Sequence, residues 1–364
     1  MYTNTTIRVQ IYSGLFTFVS DQSRSTCMKA IRCERPGLFQ QHEVAVPKPG
    51  KKEVLIQVKQ VGICGTDLHA FAGNQAFFSY PRILGHEIAA RVSQSNDSNL
   101  EEGSPVVVIP YLHCGKCGAC SVGKTNCCER LQVLGVHTDG AMQEFLAIRD
   151  SLLIPTPRLS WAEMAMVEPL SVAAHAVNRA RIKPGDRILV MGCGPIGLAL
   201  LVYAKLSGAE VTAMDLNEER LATAAAFFSA DHLIHVKKDE PARYPETNAY
   251  QVVFDATGNK QAMESGPDFV CHGGTYVLVG LYKADLCFPH PAMHAKELTL
   301  LCSRNATKDD FLFVIESLEN KRFPVSPYHT HTLSFDEVPE KFETLTRPAN
   351  QVIKAMVDFP KADR

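Results

Sequence analysis

A short stretch between Val61 and Glu87 collects residue types that could bind a metal ion. It contains one cysteine, Cys64, and a histidine–glutamate pair, His86 and Glu87. A thiolate, an imidazole and a carboxylate suit zinc, and three protein ligands with one open position are typical of a catalytic zinc site. We therefore predict a metal site that polarises an oxygen atom of a bound molecule.

The same stretch holds side chains that could move a proton. Thr66 follows Cys64 by two residues and His69 follows it by five. A hydroxyl and a second imidazole beside a metal ion could carry a proton to solvent. A lone histidine more often lies at the surface, or in the core with its hydrogen bonds made, without a catalytic role. The position of His69 in this motif nevertheless favours a role in proton transfer.

A second metal motif follows in the sequence HCGKCGACSVGKTNCCE, whose cysteines have the spacing C-x2-C-x2-C-x7-C. Four soft ligands around glycine turns can close a tetrahedral shell with no open position, which is typical of a structural zinc site. The predicted ligands are Cys114, Cys117, Cys120 and Cys128. Spacing alone leaves Cys127 as an alternative fourth ligand, and buried free thiols are the alternative to metal binding.

Composition limits the possible classes of protein. The chain has 364 residues, which suggests two domains, and its formal net charge is -2, which gives no support for binding to nucleic acid or membranes. No run approaches the roughly 20 apolar residues that a membrane helix needs. Half of the twelve cysteines lie between positions 64 and 128. This clustering indicates metal chemistry in a reducing compartment, for which we expect the cytoplasm, more than a disulfide framework.

The middle of the chain carries a dinucleotide fingerprint. A predicted strand at Arg187–Met191 runs into Gly192–Gly197, which reads G-x-G-x-x-G, and a helix follows to Leu206. The next strand ends on Asp215, about 20 residues further on, and this context separates the fingerprint from a chance glycine pattern. The glycines let the backbone approach a pyrophosphate, and the carboxylate of Asp215 should hold a ribose 2′-hydroxyl, which favours NAD over NADP.

Further strands end on residues that could complete the dinucleotide site. Apolar strands at Gln251–Asp255 and Thr275–Gly280 alternate with helices, so we predict a parallel, doubly wound sheet whose strand ends bind the ligand. A helix cap is the alternative role for Asp255. The residues predicted here to bind the dinucleotide are Gly192, Gly194, Pro195, Ile196, Gly197, Asp215, Leu216, Asp255, Thr257, Val279, Gly280 and Leu281.

The flanking regions are expected to form a separate, β-rich domain. Residues 1–27 do not continue the pattern of predicted strands that begins at Met28. An upstream extension is favoured over a signal peptide, because no cleavage-site pattern follows the apolar run in this segment. From Met28 the chain is rich in predicted strands, and the tail VIKAMVDF is expected to return to them. We therefore expect the β-rich catalytic domain at 28–178 and 303–364, and the dinucleotide-binding domain at 179–302.

At this point the motifs resemble a known family. GICGTDLHA, YPRILGHE, the four-cysteine segment, EPLSVAAHA and GCGPIGL follow the order found in zinc-containing medium-chain dehydrogenases, specifically the sorbitol and L-threonine dehydrogenase branch. The resemblance covers Met28 to Phe359 and implies a GroES-like catalytic domain beside a Rossmann domain, together with two zinc ions and NAD. It also implies a homodimer or homotetramer.

The resemblance assigns further roles residue by residue. It makes Cys64, His86 and either Glu87 or Glu168 the catalytic zinc ligands, with helix capping as the alternative role for Glu168. Asp67 would orient His86, and Thr66 and His69 would carry the proton. Arg220, Ser303 and Arg304 match positions that approach the cofactor.

The resemblance extends to sugar-acid enzymes of the L-galactonate 5-dehydrogenase and starvation-sensing type, on GNQAFFSYPRILGHE, TNCCE, LGVHTDG and SRNAT. It implies oxidation of a sugar acid such as L-galactonate or L-gulonate at C5. The candidate substrate contacts are Asn74, Tyr80, Arg82, Arg304 and Asn305. A neutral polyol or a threonine-type substrate is the alternative, as is a non-catalytic regulator that binds zinc and NADH. A zinc-free quinone reductase conflicts with both metal motifs.

Overall fold

The computed structural model describes residues 27–75, 78–96, 98–237, 247–347, 349 and 351–360. Residues 1–26 of the predicted extension lie outside the described residues, whereas Cys27 is already part of the first strand. Within the described ranges, no helix combines the length and the apolar character needed to cross a membrane.

The first part of the chain is rich in strands. Its strands are β1 (Cys27–Arg35), β2 (Leu38–Ala45), β3 (Glu53–Ile63), β4 (Arg82–Ile83), β5 (Glu87–Ser95), β6 (Pro105–Val108), β7 (Tyr111–Leu112), β8 (Gln132–Val133), β9 (Phe145–Arg149) and β10 (Leu153–Pro155). Its helices are α1 (Gly65–Phe71), α2 (Gly118–Ser121) and α3 (Trp161–Ala180), with single 3-10 turns at Thr125–Cys127 and Asp150–Leu152.

The middle part alternates strands and helices, as its sequence predicts. Its elements are β11 (Arg187–Met191), α4 (Pro195–Leu206), β12 (Glu210–Asp215), α5 (Glu218–Phe227), β13 (His232–His235), β14 (Tyr250–Asp255), α6 (Lys260–Phe269), β15 (Val270–Leu278), α7 (His290–Ala295) and β16 (Thr299–Cys302). All six strands are parallel, in the order β13-β12-β11-β14-β15-β16. This is the strand order of the Rossmann fold, so the predicted doubly wound domain is confirmed.

The last part of the chain rejoins the first. Its elements are α8 (Lys308–Glu319), α9 (Val325–Tyr328), β17 (His329–Ser334), α10 (Val338–Lys341) and β18 (Lys354–Asp358), with 3-10 turns at Phe335–Glu337 and Phe342–Thr346. The large sheet of the first part has the order β10-β6-β5-β3-β18-β17, and β9 also pairs with β3. Strand β18 lies beside β3, where Ala355 is opposite Ile63.

Strand β3 forms the centre of this sheet. Val54, Ile56 and Val58 are completely or almost completely buried, as their spacing predicts, and the apolar Leu55 between them is buried as well. The strand pairs antiparallel with β5 from Val54 to Gly62. It therefore carries the chain directly to Cys64 at one edge of the buried core.

Helix α3 connects the two sheets. Ser160 caps its N-terminus, and the side chain of Glu163 completes a capping box. The helix packs against strands β3 and β5 and against helices α4 and α8. It is buried along most of its length and carries the buried Glu168 in its interior.

Candidate metal and dinucleotide site

The predicted ligands Cys64, His86 and Glu87 come together where β3 and β5 lie side by side. Cys64 caps the N-terminus of α1, and Glu87 opens β5 opposite Gly62. One potential ligand atom from each of the three side chains lies within 4.8 Å of the others. Zinc holds sulfur at about 2.3 Å and nitrogen or oxygen at about 2.0–2.2 Å, so small side-chain adjustments would bring this set onto one ion.

Asp67 organises the backbone around these ligands. Its completely buried carboxylate accepts hydrogen bonds from the N–H groups of Cys64, at 2.8 Å, and Gly85, at 3.2 Å. Its Oδ1 atom lies 3.8 Å from Nδ1 of His86, which has no hydrogen-bond partner within the described part of the chain. The aspartate thus joins the two segments that carry the ligands and faces the imidazole, as expected of a residue that orients a metal ligand.

A buried lysine, Lys354, forms an ion pair with Glu87 that the sequence did not predict. Lys354, only 2% exposed, donates to both carboxylate oxygens of Glu87 at 2.6 and 2.8 Å and to the carbonyl of Ile63 at 3.1 Å. Burial lowers the pKa of Lys354, but the Glu87 carboxylate outweighs this effect and raises it. The available signal was a lone cation in the mostly apolar strand sequence VIKAMVDF.

Gly62 makes room for this ion pair. A Cβ atom at this position would stand 1.9 Å from Oε2 of Glu87, far inside contact distance. Because Gly62 pairs with Glu87 across the two strands, the glutamate side chain lies directly over the glycine backbone. The glycine in VGICG therefore has a steric function in the arrangement of Glu87.

Glu168 lies near this group without joining it. It is in the interior of α3, which excludes the helix-capping alternative, and its carboxylate accepts a hydrogen bond from the Tyr111 hydroxyl. Glu168 is not among the side chains whose ligand atoms cluster within 4.8 Å. Of the two candidate glutamates, the structure brings Glu87 into the ligand group and holds Glu168 beside Tyr111.

Thr66 and His69 lie on the same helix, α1, three residues apart. Residues with this spacing share one face of a helix. Thr66 is half-buried and His69 is exposed, with its Nδ1 atom 2.8 Å from Oδ1 of Asn74. The helix thus presents a hydroxyl close to the ligand Cys64 and an imidazole at the surface.

The four cysteines of the second motif also come together. The sulfur atoms of Cys114, Cys117, Cys120 and Cys128 all lie within 4.8 Å of one another. The sulfur of Cys128 accepts hydrogen bonds from the N–H groups of Cys114 and Arg130, at 3.3 and 3.4 Å. Cys127 is exposed and stands outside the group, so the structure supports Cys128 as the fourth ligand.

The glycine fingerprint has the conformation that a pyrophosphate site requires. Gly192 adopts φ +93°, and a Cβ atom on Gly197 would stand 1.7 Å from the Gly192 carbonyl oxygen. Nothing lies within 4 Å of the Cβ position of Gly194, which caps the N-terminus of α4 ahead of Pro195 and Ile196. The helix begins at Pro195 because proline is well suited to a first helical position.

Asp215 lies at the end of β12, and its carboxylate contacts the backbone of the glycine fingerprint. It accepts hydrogen bonds from the N–H groups of Cys193, at 2.6 Å, and Asn217, at 2.8 Å. Leu216 is exposed beside it, and Arg220 lies in the first turn of α5. The carboxylate can still accept a hydroxyl, since each oxygen has two lone pairs.

The ends of β14 and β15 are joined through Asp255. Its backbone carbonyl accepts from the N–H groups of Val279 and Gly280, both at 2.9 Å, and its buried carboxylate accepts from the hydroxyl of Thr257 at 3.0 Å. Burial raises the pKa of Asp255 to about 6. Asn259, and not Asp255, caps α6, while Leu281 is exposed at the edge of this group.

Ser303 and Arg304 follow β16 directly, at the same edge of the sheet. The N–H group of Ser303 donates to the carbonyl of Leu278 at 2.9 Å, and its hydroxyl is buried without a hydrogen-bond partner among the described residues. The Arg304 side chain is exposed, and Asn305 adopts a left-handed φ of +53°. Ligands of doubly wound sheets bind at this edge, so the segment faces the expected dinucleotide site.

The loop with the sequence LGVHTDGAM lies against the segment that leads into His86. The N–H group of Ala141 donates to Gly85 at 2.9 Å, and that of Met142 donates to Leu84 at the same distance. Asp139 on this loop accepts from Arg82 at 3.3 Å. Of the remaining substrate candidates, Tyr80 donates to the carbonyl of Ala70 and Asn74 contacts His69.

The chemistry of both groups fits metal binding. Burial lowers the pKa of His86, but the charge of Asp67 and a contact with Cys64 raise it well above its ordinary value, so the pocket favours a bound cation. A hydrogen bond from the backbone of Lys116 lowers the pKa of Cys114 to about 6, whereas burial raises the pKa of Cys120 to about 12. Cys114 is therefore the thiol of these two that is better suited to be a thiolate ligand. The first group offers three potential protein ligands and the second offers four, as catalytic and structural zinc sites do.

Two family models match the chain. An alcohol dehydrogenase GroES-like domain matches residues 50–158, and a zinc-binding dehydrogenase domain matches residues 195–320. The chain is 39% identical over 337 residues to L-galactonate-5-dehydrogenase of Escherichia coli K12, which covers 91% of this chain and 99% of that protein. It is 31% identical to L-idonate 5-dehydrogenase of Vitis vinifera, covering 86% of this chain and 90% of that protein.

A solved structure with bound cofactor has the same fold. An alcohol dehydrogenase from Escherichia coli CFT073 in complex with NADH is 28% identical, with a TM-score of 0.85, and the match covers 92% of this chain and all of the other. The metal-binding groups, the dinucleotide fingerprint and these comparisons agree. The chain belongs to the zinc-containing medium-chain alcohol dehydrogenase family and is an NAD(P)-dependent enzyme of that family.

Proposed function

We propose that the enzyme oxidises a secondary alcohol of a sugar acid, L-galactonate or L-gulonate at C5, with NAD+ as the hydride acceptor. The reaction type is supported chiefly by the convergence of Cys64, His86 and Glu87 beside a helix that carries a hydroxyl and an imidazole. When bound, zinc would polarise the alcohol oxygen and NAD+ would take up the hydride.

The chain's own groups would move the proton. Thr66, which is half-buried, would accept the proton of the substrate hydroxyl while giving up its own hydroxyl proton. His69, which is exposed three residues later, would take up the proton that leaves and release it to solvent. The contact with Asn74 holds the His69 ring in place at the surface. Asp67 keeps the His86 ring oriented, and the buried pair of Glu87 and Lys354 fixes the third ligand.

Two cations favour an acidic substrate. Burial, followed by the charges of Arg304 and Arg82, lowers the pKa of His137, which belongs to the loop that lies against the segment leading into His86. Arg82 already pairs with Asp139 through Nη1 at 3.3 Å, but its Nε is buried without a hydrogen-bond partner in the described chain. No carboxylate among the described residues pairs with Arg304. A sugar carboxylate could accept from either group, since such charged pairs are the stronger hydrogen bonds in proteins.

The choice of NAD+ rests on Asp215. Its carboxylate lies at the end of β12, where a ribose hydroxyl could donate to it and a 2′-phosphate would be repelled. Similarity to L-galactonate-5-dehydrogenase supports the substrate class, and similarity to L-idonate 5-dehydrogenase makes L-idonate the next acid to test.

A neutral polyol such as sorbitol is the second candidate substrate, because the ligand group itself would bind either alcohol. Comparing kcat/KM for L-galactonate, L-gulonate, L-idonate, sorbitol and L-threonine by NADH absorbance separates them. We expect the acids to react best. Equal or better turnover of sorbitol would overturn the assignment of an acidic substrate. If none of these compounds is turned over, the result would favour a non-catalytic regulator that binds zinc and NADH.

The variant Arg82→Gln tests the carboxylate contact. Loss of one charged hydrogen bond, which is worth about 1.5–3 kcal/mol, should raise KM for L-galactonate about tenfold or more. KM for any neutral polyol that is turned over should change less than about twofold, because that substrate carries no carboxylate. Arg158→Gln, an exposed cation paired with Glu319, is the matched control and should change neither value.

A further inference from the structure

A buried polar network joins the four-cysteine segment to the residues that follow β16. Asn126, only 2% exposed, lies in the 3-10 turn at Thr125–Cys127, two residues before the ligand Cys128. Its Nδ2 atom lies 2.9 Å from the carbonyl oxygen of Arg304 and 3.1 Å from Nε2 of His175. The two hydrogens of one amide are therefore both used.

This arrangement fixes the state of His175. Because the Asn126 amide donates, Nε2 of His175 must accept, so its proton is on Nδ1. Nδ1 donates to Oδ2 of Asp310 at 2.8 Å. The ring thus joins one donor on the cysteine segment to one acceptor on α8.

Asp310 completes the network as a carboxylate. Burial raises its pKa, but hydrogen bonds from His175 and Thr307 outweigh burial and lower it. Its Oδ2 atom also accepts from the N–H group and hydroxyl of Thr307, and Oδ1 accepts from Nδ2 of Asn178 at 2.8 Å. The N-terminus of α8 is thereby tied to helix α3.

The segment from Ser303 to Thr307 is consequently held at three points. Ser303 is bound to the end of β15, the carbonyl of Arg304 is bound to Asn126, and Thr307 is bound to Asp310. Between these points Asn305 adopts a left-handed conformation, which only asparagine and few other side chains tolerate well. The contact from Asn126 is the one that determines where the peptide after Arg304 points.

We propose that Asn126 and His175 are positioning residues for the Arg304 segment, so that the four-cysteine segment sets the affinity for the nicotinamide cofactor. Neither residue needs to touch the cofactor, because the effect passes through the carbonyl of Arg304. The inference rests on the proposed placement of the cofactor against Ser303 and Arg304.

The test measures NADH dissociation by fluorescence on the zinc-loaded protein, without substrate. Asn126→Ala should weaken NADH binding about tenfold, as expected when an oriented charged contact is lost. Asn178→Ala is the matched control, because it removes an amide donor from the same network, the one to Asp310, without touching Arg304. It should leave NADH affinity within about twofold of the unchanged protein.

A double-mutant cycle with Arg304→Ala distinguishes positioning from general loosening. We expect Arg304→Ala alone to weaken NADH binding, and Asn126→Ala to have little further effect in that background. Additive effects, equal losses in Asn126→Ala and Asn178→Ala, or no loss in Asn126→Ala would overturn the network proposal. An unchanged affinity in Arg304→Ala would instead refute the proposed cofactor placement.

A second pair of variants keeps the test valid if Asn126→Ala folds poorly. His175→Gln retains an oxygen that can accept from Asn126, whereas His175→Leu leaves that amide hydrogen unpaired. With zinc content and melting temperature checked for both, His175→Leu should bind NADH about tenfold more weakly than His175→Gln. Equal affinities of the two variants would contradict the role of His175.

Discussion

At the scale of single residues, the charge balance of the ligand group depends on Lys354. Glu87 is completely buried, and its carboxylate receives two hydrogen bonds from this lysine. A buried carboxylate without a cation is costly, whereas the intact pair is tolerated because each charge satisfies the other. The lysine therefore allows a negatively charged ligand to stay in the core whether or not it reaches the metal ion.

Lys354→Met should expose this dependence. Leaving Glu87 without its cation should lower the free energy of unfolding by about 3–5 kcal/mol in the metal-free protein, as measured by urea denaturation. The double variant Glu87→Gln with Lys354→Met removes both charges and should recover part of that loss. A single variant as stable as the unchanged protein would show that Glu87 is already neutral.

Single residues also show what the sequence could predict about the site and what it could not. Cys64 and His86 could be predicted because their residue types and the local motif identify them as potential ligands. The four cysteines of the second motif could be predicted for the same reason. Lys354 and Glu87 are 267 positions apart, and His175 and Asp310 are 135 apart. Such contacts depend on how distant elements pack, and a lysine in an apolar strand could equally have faced solvent.

At the scale of elements, the pairing of β3 with β5 builds the ligand group. The register places Gly62 opposite Glu87, and Cys64 follows two residues later at the start of α1. The periodic strands and the glycine fingerprint made these elements predictable. The register was not predictable from the sequence, because β3 and β5 shift relative to each other at two irregularities.

Gly62→Ala tests this register. The added methyl group would overlap the Glu87 carboxylate, so the variant should lose about 1–3 kcal/mol of stability and bind catalytic zinc more weakly, as judged by urea denaturation and metal analysis. Gly65→Ala is the control, because nothing lies within 4 Å of its Cβ position. Similar behaviour of the two variants would contradict the steric role of Gly62.

The contact between α3 and α8 should depend on pH through Asp310. Its folded-state pKa lies below the ordinary 3.8, so the folded protein prefers the carboxylate. The stability that the Asp310 carboxylate contributes is complete above its unfolded-state pKa of 3.8 and is lost as the pH falls through its lower folded-state pKa. The difference in unfolding free energy between the unchanged protein and Asp310→Asn should therefore shrink on acidification from about pH 7 to about pH 3. A difference that grows over this range would contradict the assignment.

At the scale of the whole molecule, the return of the tail joins the two regions. Strand β18 pairs with β3 and delivers Lys354 to the ligand group, while α8 packs against α3 beside the Rossmann sheet. The domain boundaries at 28–178, 179–302 and 303–364 remain our proposal, as does assembly into a homodimer or homotetramer. Helix α3 contacts β3 and β5, which carry the potential zinc ligands, and also β15 of the Rossmann sheet.

The most direct test of the account is zinc-dependent oxidation of L-galactonate, followed as NADH formation by the metal-free, the zinc-reconstituted and the Cys64→Ala protein. We predict turnover only in the reconstituted protein, with two zinc ions per chain, while Cys64→Ala retains the second zinc ion and NADH binding. Undiminished turnover by the metal-free protein or by Cys64→Ala would contradict it.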